Sequence, residues 1–400
     1  MTKPQVDGRL PDDCFALPPG VDWTPVDEAL DRLRSSLRPV TGTERIGVME
    51  AAGRILAEPV AARRANPPAA NAAVDGYAFA WSGASGTEGA FTLEGGRAAA
   101  GHPHASIIPP GHALRVLTGA EIPDGTDTVV LQEDCTVSGG RLTFELPRKL
   151  GANVRPAGED AQIGDVVFGG AHRLTEADLA RLASVGISDV AVHRPLRIAI
   201  MSTGDELIEP GATGPGIPDA NRPMLLALGR RLGYAVIDLG IAPDDPDIVR
   251  ARLQQAAKTA DAVITTGGAS TGDEDHVSRL LSSEGTLTTW RIAVKPGRPL
   301  ALGMWQGIPL FGLPGNPVAA FVCALVFARP ALSLMAGAGW TEPQAFSVPA
   351  GFAKTKKPGR REYLRARVRN GVAEVFPSEG SGRIGGLSWA EGLVELPDGA

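Results

Sequence analysis

The sequence predicts a multidomain protein of α/β plus β class, in which one doubly wound α/β domain is flanked by β-rich units. Three observations point there. Between residues 196 and 327 short apolar runs alternate with helix-length segments, the pattern of repeated βαβ units. Thirty-three prolines and fifty glycines, with no low-complexity tract, require many turns and substantial β structure. A length of 400 residues at about one domain per 150 implies several domains, and an apolar content of 43% is enough to fill their cores.

In chain order, 24–37 (TPVDEALDRLRSSL) has an N-cap threonine, proline at the first helical position, and apolar residues at Val26, Leu30, Leu33 and Leu37. This predicts an amphipathic helix. Residues 45–56 mix strand and helix signals, and 57–65 read as extended. In NAAVDGYAF (71–79) Asp75 precedes Gly76 and Tyr77, the local setting of a turn-capping aspartate. Residues 91–150 are short apolar runs split by Gly, Pro and Asp, which predicts a small β domain. Within it Thr118, Gly119 and Ala120 follow one strand, and Glu133 and Asp134 end another. GANVRPAGEDAQIGDVVFGG (151–170) sets Arg155, Glu159 and Asp160 in a loop, by default as solvated charges. TEADLARLASV (175–185) predicts a helix capped by threonine, leading through Gly186 into a strand and a linker at 193–195.

Beyond the linker, strands are expected at 196–201, 235–239, 262–265, 292–294, 300–302 and 310–313. Helices are expected at 221–232, 246–258, 275–283 and 316–327. Such alternation builds a parallel sheet with helices on both faces, and ligands then bind at the loops after the strands. From about 337 the pattern changes again. Short strands at 364–368 and 393–396, with turns at Pro358-Gly359 and Asn370-Gly371, predict a small C-terminal β barrel or sandwich. Arg360, Arg361 and Arg365 there form either a solvated basic edge or a set of arginines reaching over a neighbouring pocket.

The chemistry is concentrated in four loops of the α/β region. DAVITTGGASTGDED (261–275) reads as a buried strand, then a loop whose Gly267, Gly268 and Gly272 let backbone N–H groups approach an anion, then Asp273, Glu274 and Asp275 at a helix start. Carboxylates would repel a bare phosphate, so a hard cation such as Mg²⁺ between the two is inferred. Read alone, the stretch fits a helix N-cap equally well. STGDEL brings Asp205 and Glu206 to another strand end. KPGRP (295–299) sets two cations around a Pro-Gly turn, a cradle for phosphate or another oxyanion. LPGNPVAAF, from 313, places two prolines and a glycine before a helix N-terminus.

Several classes are disfavoured. A net charge of −6, a pI near 5.6 and 5% aromatic residues argue against a nucleic-acid surface. Cys14, Cys135 and Cys323 show no paired spacing, which fits a reducing cytoplasm and disfavours structural zinc. The polar N-terminus is not that of a signal peptide or an anchor, and the apolar run 318–328 is too short to span a bilayer. No Ser/His/Asp arrangement is legible, and His102 and His104 read as loop residues.

In this order, NAAVDGYAF, LTGAEIPDGTDTVVLQED, NVRPAGED, IGDVV, STGDEL, TTGGASTGDEDH, KPGRP, LPGNPV and GRREYLRARV resemble the motif series of the MoeA/gephyrin family of molybdopterin molybdenumtransferases, over roughly residues 20–397. The resemblance implies an α/β domain of molybdopterin-binding type at 193–336, an inserted β domain at 61–149, a linking α+β domain from 20–60 and 150–192, and a C-terminal small β barrel at 337–400. It implies a cytoplasmic homodimer that converts adenylylated molybdopterin and molybdate into molybdenum cofactor and AMP with Mg²⁺. No nucleic acid or membrane is involved, and the adenylyltransferase and molybdoenzyme acceptors are further partners. By motif, Asp205, Glu206 and Asp275 would surround the metal and pyrophosphate, and Gly267, Gly268, Ser270 and Gly272 would cradle the phosphate. Lys295 and Arg298 would hold negative charge, Pro314 and Pro317 would shape the cleft, and Arg361 and Ser381 would lie near molybdate. Asp75, Thr118 and Asp160 would come from the other subunit. Ala72, His276 and Arg298 depart from the usual serine, tyrosine and lysine without removing a carboxylate. Two rivals are the related adenylyltransferase step and a non-enzymatic scaffold of the same fold.

Overall fold

The computed structural model describes residues 24–85, 87–147, 149–267, 276–297 and 299–399. At its centre is a six-stranded sheet in the order Ala235–Ala242, Arg197–Thr203, Ala262–Thr266, Ile308–Leu313, Pro299–Trp305, Thr286–Arg291. The first four strands are parallel and the last two antiparallel. The sheet is therefore mixed, with an antiparallel edge where only parallel strands were expected. The edge strand Thr286–Arg291 went unpredicted because TLTTWR is largely polar.

Along Arg197–Thr203 every residue after the first is buried, as parallel strands covered on both faces require. Successive side chains alternate in direction. Ile198 and Ile200 enter one core with α1 (Val26–Ser36), while Ala199 and Met201 enter the other. In the small linking unit α2 (Glu176–Ser184) starts at Thr175 with a complete capping box to Asp178. Helix α3 (Asn221–Arg231) lies on the first face, and α4 (Pro246–Thr259) and α5 (His276–Glu284) cover the second.

Helix α6 (Pro317–Cys323) passes through a π-helical turn, Ala324–Ala328, directly into α7 (Arg329–Met335). The helix was expected to stop before Pro330, which has no N–H to donate. The wider turn accommodates that residue without ending the helix. The resulting span Pro317–Met335 has 19 residues and a hydropathy of 2.0, long and apolar enough to cross a membrane. Its most apolar window is 78% buried, in the core of the α/β domain.

Helix α1 differs from expectation in two ways. Its buried face, Val26, Ala29 and Leu33, joins the α/β core and not the linking unit in which 20–60 was placed. Thr24 does not cap it: the Thr24 backbone pairs with residues 291–293, and Pro25 is the N-cap.

The linking unit pairs Thr43–Gly47 with Asp189–His193, and Val60–Ala61 with Val166–Phe168, around Leu56, Leu182 and Val192. Between its two chain segments lies a separate six-stranded β domain, in the order Thr128–Leu131, Gly76–Phe79, His112–Val116, Glu88–Ala98, Arg141–Glu145, Cys135–Ser138. Phe79, Phe91 and Phe144 fill its centre with ring centroids 4.9–5.7 Å apart. The C-terminal β unit is built on the long strand Arg361–Arg369, which pairs with Val372–Val375 and Gly392–Leu396. A fourth strand, Val294–Lys295, pairs with it in parallel and comes from the α/β domain, so the run expected at 292–294 serves the neighbouring sheet.

Candidate active site

The carboxyl ends of Arg197–Thr203, Ala262–Thr266 and Ile308–Leu313 lie side by side, and their loops are wired together. Asn221, at the start of α3, donates through Nδ2 to Thr266 Oγ1 at 2.6 Å and to the Gly315 carbonyl at 2.7 Å. Gly267, at φ 85°, lies so close to Thr203 that a Cβ would sit 2.5 Å from its carbonyl oxygen. A Cβ added at Gly315 would lie 3.9 Å from the Gly267 Cα. These contacts join the STGDEL, TTG and LPGN loops into one rim.

On that rim Asp205 and Asp244 exchange hydrogen bonds. The Asp205 N–H donates to Asp244 Oδ2 at 3.2 Å, and the Asp244 N–H donates to Asp205 Oδ1 at 2.9 Å. An exposed carboxylate, Asp205, and a half-buried one, Asp244, from different loops are thereby fixed next to each other. Glu206 is exposed and folds against Gly204, where an added Cβ would lie 2.3 Å from Glu206 Oε2. The excursion 204–220 that carries these acids is held from below by Arg222. Its buried guanidinium pairs with Asp219 at 3.1 Å, with Asp238 at 2.7 Å, and with Glu209. Carboxylate oxygens are the donors a Mg²⁺ ion takes, but among the described residues no group of three or more His, Cys, Asp or Glu side chains could hold a metal ion, so Asp205, Glu206 and Asp244 do not by themselves make a metal site.

Farther along the rim, the first turn of α6 meets the C-terminal unit, where the Val318 N–H donates to the Ser381 carbonyl at 3.1 Å. Beside this contact a cavity of about 180 Å³ is lined by Lys295, Lys354, Glu362, Arg365, Phe376 and Glu379, among others. Lys295 Nζ lies 2.7 Å from Glu379 Oε2 and 3.5 Å from Glu362 Oε2. Lys354 Nζ pairs with the same two carboxylates. Hydrogen bonds from Lys295 and Lys354 pull the Glu379 carboxyl down to about 2. Arg365 donates to the carbonyls of Ser378, Gly380 and Arg383 and lies over the Phe376 ring at 5.1 Å. Burial lowers its pKa. The Pro-Gly turn must carry glycine here: Gly297 has φ 104°, and a Cβ would come within 2.4 Å of Cys323 Sγ on α6.

In the inserted domain Asp75 and Thr118 meet. Asp75 Oδ1 accepts from both the Thr118 N–H and the Thr118 hydroxyl at 2.7 Å, and the backbone bond in particular lowers the Asp75 pKa. Asp160 Oδ2 accepts from Asn66 Nδ2 at 3.0 Å. Each of these bonds stays within the N-terminal half of the chain.

Of the residues singled out by sequence, Asp205, Glu206, Gly267, Pro314, Pro317, Lys295 and Ser381 lie along the one rim. Gly268, Ser270, Gly272, Asp275 and Arg298 fall outside the described residues. Arg361 is turned away from the cavity. It pairs with Asp27 on α1 at 2.8 Å, and with Glu395 and Asp398 at 3.4 and 3.5 Å. Glu362, and not Arg361, joins the lysines. Arg365 is the arginine of GRREYLR that lines the cavity. Sequence reasoning missed Asp244, Lys354, Glu362 and Glu379. The acid-rich APDDPD after a strand was a usable signal for Asp244.

Three family models match consecutive parts of the chain: the MoeA N-terminal region (domain I and II) at residues 24–186, a probable molybdopterin binding domain at 199–334, and the MoeA C-terminal region (domain IV) at 347–400. The chain is 38% identical over 346 residues to the molybdopterin molybdenumtransferase of Haemophilus influenzae, covering 85% of each. It is 34% identical over 378 residues to that of Nostoc sp., covering 89% of this chain and 85% of the relative. The crystal structure of the molybdopterin biosynthesis moeA protein from Pyrococcus horikoshii matches with a TM-score of 0.83 at 29% identity, over 95% of this chain and 96% of that one. With full-length relatives above 30% identity and every domain accounted for, the chain belongs to the MoeA family of molybdopterin molybdenumtransferases.

Proposed function

We propose that the protein is a molybdopterin molybdenumtransferase, which takes adenylylated molybdopterin and molybdate and releases AMP and molybdenum cofactor. The observation that supports this best is the continuous rim. It runs from an acidic pair, Asp205 with Asp244, to a cavity that holds Lys295 and Lys354. A substrate with a phosphoanhydride at one end and an oxyanion acceptor at the other needs both charges, some distance apart.

Gly267 lets the chain approach a phosphate closely, because no side chain fits at its position. Asp205, Glu206 and Asp275 would hold a Mg²⁺ ion, which when bound polarises the phosphoanhydride. Lys295 and Lys354 would bind molybdate or the pterin phosphate, with Glu362 beneath them as a fixed counter-charge. Ser381 lies where the rim meets the cavity and would help seat the oxyanion. Gly268, Ser270 and Gly272 would cradle the phosphate and Arg298 would hold negative charge; these residues lie outside the described ones.

Asp75, Thr118 and Asp160 would reach this rim from a second copy of the chain in a homodimer. Thr118 and Asp160 are exposed and Asp75 is half-buried, and their side-chain bonds are local. The protein works on small molecules in the cytoplasm, with the adenylyltransferase upstream and apo-molybdoenzymes as recipients.

The test is AMP release from adenylylated molybdopterin. Wild type should release AMP in a manner that depends on both molybdate and Mg²⁺. D205N should lower the rate by about 10²-fold or more, as expected when a group that steadies developing charge is lost. Unchanged release by D205N, or release equally fast without molybdate, would reject the reading.

A further inference from the structure

Glu379 is an unusual resident for an anion site. Its two carboxylate oxygens bridge Lys295 and Lys354, which is the position an incoming oxyanion would take. Building on the function proposed above, we propose that Glu379 is a built-in competitor: it occupies the lysine pair in the empty protein and is displaced when a tetrahedral dianion enters.

The two carboxylates facing the lysines are not equivalent. Glu362 is 1% exposed, lies 3.5 Å from both lysines, and is also paired to Arg360 at 3.1 Å, so it cannot leave. Glu379 has a side chain 43% exposed and makes its ion pairs with the two lysines alone among those recorded for described residues. Arg365 clamps the backbone on either side of it through the carbonyls of Ser378 and Gly380. The Glu379 side chain can therefore swing toward solvent by a change of rotamer while its loop stays in place.

Charge counting favours the exchange. Lys295, Lys354, Arg360 and Arg365 surround Glu362 and Glu379, so the empty cluster already carries a net positive charge. With Glu379 rotated out, its two lysines are freed to face the anion. A dianion entering while Glu379 remained would meet a like charge at close range in a partly enclosed cavity. The carboxyl is held at about 2, so near neutral pH protonation does not free it and only a competing anion does. The arrangement sets a threshold: weak monoanions fail to displace Glu379, and a doubly charged tetrahedral oxyanion succeeds.

The experiment is calorimetric titration of the full-length protein with molybdate, for wild type, E379Q, E379A and K295A, with thermal melts confirming that each variant folds. E379Q and E379A should bind molybdate about tenfold tighter than wild type, because the competitor is gone while both lysines remain. In turnover, their KM for molybdate should fall while the KM for adenylylated molybdopterin stays unchanged. If wild type binds molybdate and K295A does not, but neither Glu379 variant gains affinity, the competitor role is overturned and the function stands. If neither wild type nor the Glu379 variants bind molybdate, the cavity is not the oxyanion site and both readings fall.

Discussion

At Gly204 a single hydrogen atom keeps open the space into which Glu206 folds. The residue has φ 140°, and an added Cβ would sit 2.3 Å from the Glu206 carboxylate. G204A should leave the fold in place and lower molybdate-dependent AMP release, because Glu206 must swing away; steady-state assays beside a thermal melt separate the two effects. At Gly267 the obstacle is backbone, the Thr203 carbonyl, at φ 85°. G267A should cost about 1–3 kcal/mol in urea denaturation as well as activity, since an L side chain is strained there. Glu379 gives a pH signature. Its pKa falls from 4.5 to about 2 on folding, so its ion pairs stabilise the protein fully above pH 4.5, and that contribution fades as pH drops toward 2. Discounted for a side chain 43% exposed, the effect is about 1 kcal/mol. The stability gap between wild type and E379Q should show this size at pH 7 and shrink between pH 5 and pH 3 in urea titrations. Single residues were read from sequence with uneven success. Asp205 and Lys295 were legible because each sits in a short motif of unusual chemistry. Glu379 was not, because 84 residues separate it from Lys295 and only folding joins them.

At the scale of elements, buried parallel strands were the easiest to read, since two covered faces leave an unbroken apolar run, as in Arg197–Thr203. The exposed edge strand Thr286–Arg291 has no such run and was missed. The helix Pro317–Met335 was underestimated because Pro330 looks like a stop, and only the π-helical turn reveals how it is passed. Along Arg361–Arg369 the partners diverge: Arg361 pairs with Asp27 and Glu362 with the lysines, a split that three nearby arginines in a sequence do not disclose. The excursion 204–220 depends on one cation. Removing the Arg222 guanidinium leaves the Asp219 carboxylate, whose side chain is 2% exposed, without its counter-charge and with only the backbone N–H groups of residues 221 and 222 as donors. R222A should destabilise the protein by about 3–5 kcal/mol in urea denaturation, and R222K should restore little, lacking the fork that spans Asp219, Asp238 and Glu209.

For the whole molecule, two chain segments on either side of a separate β domain close around one small core. The apolar stripe of α1 was visible in the sequence, but which of two cores it would cover was not. Asp75 and Thr118 form a prepared pair in the inserted domain, bonded to each other and not to the α/β rim. If a second copy brings them to the rim, D75N and D205N should each be inactive alone and recover activity when mixed under exchange. A closed two-fold dimer predicts roughly a quarter of the wild-type sites intact after random pairing; no recovery would argue that each subunit is self-sufficient.

The pairing of Val294–Lys295 with Arg361–Arg369 makes the last domain a mechanical support for a residue of the one before it. Lys295 hangs from a two-residue splice whose other half is the C-terminal sheet. Any swing of that sheet must drag the ammonium group with it, so opening the cleft and loosening the grip on an anion are the same movement.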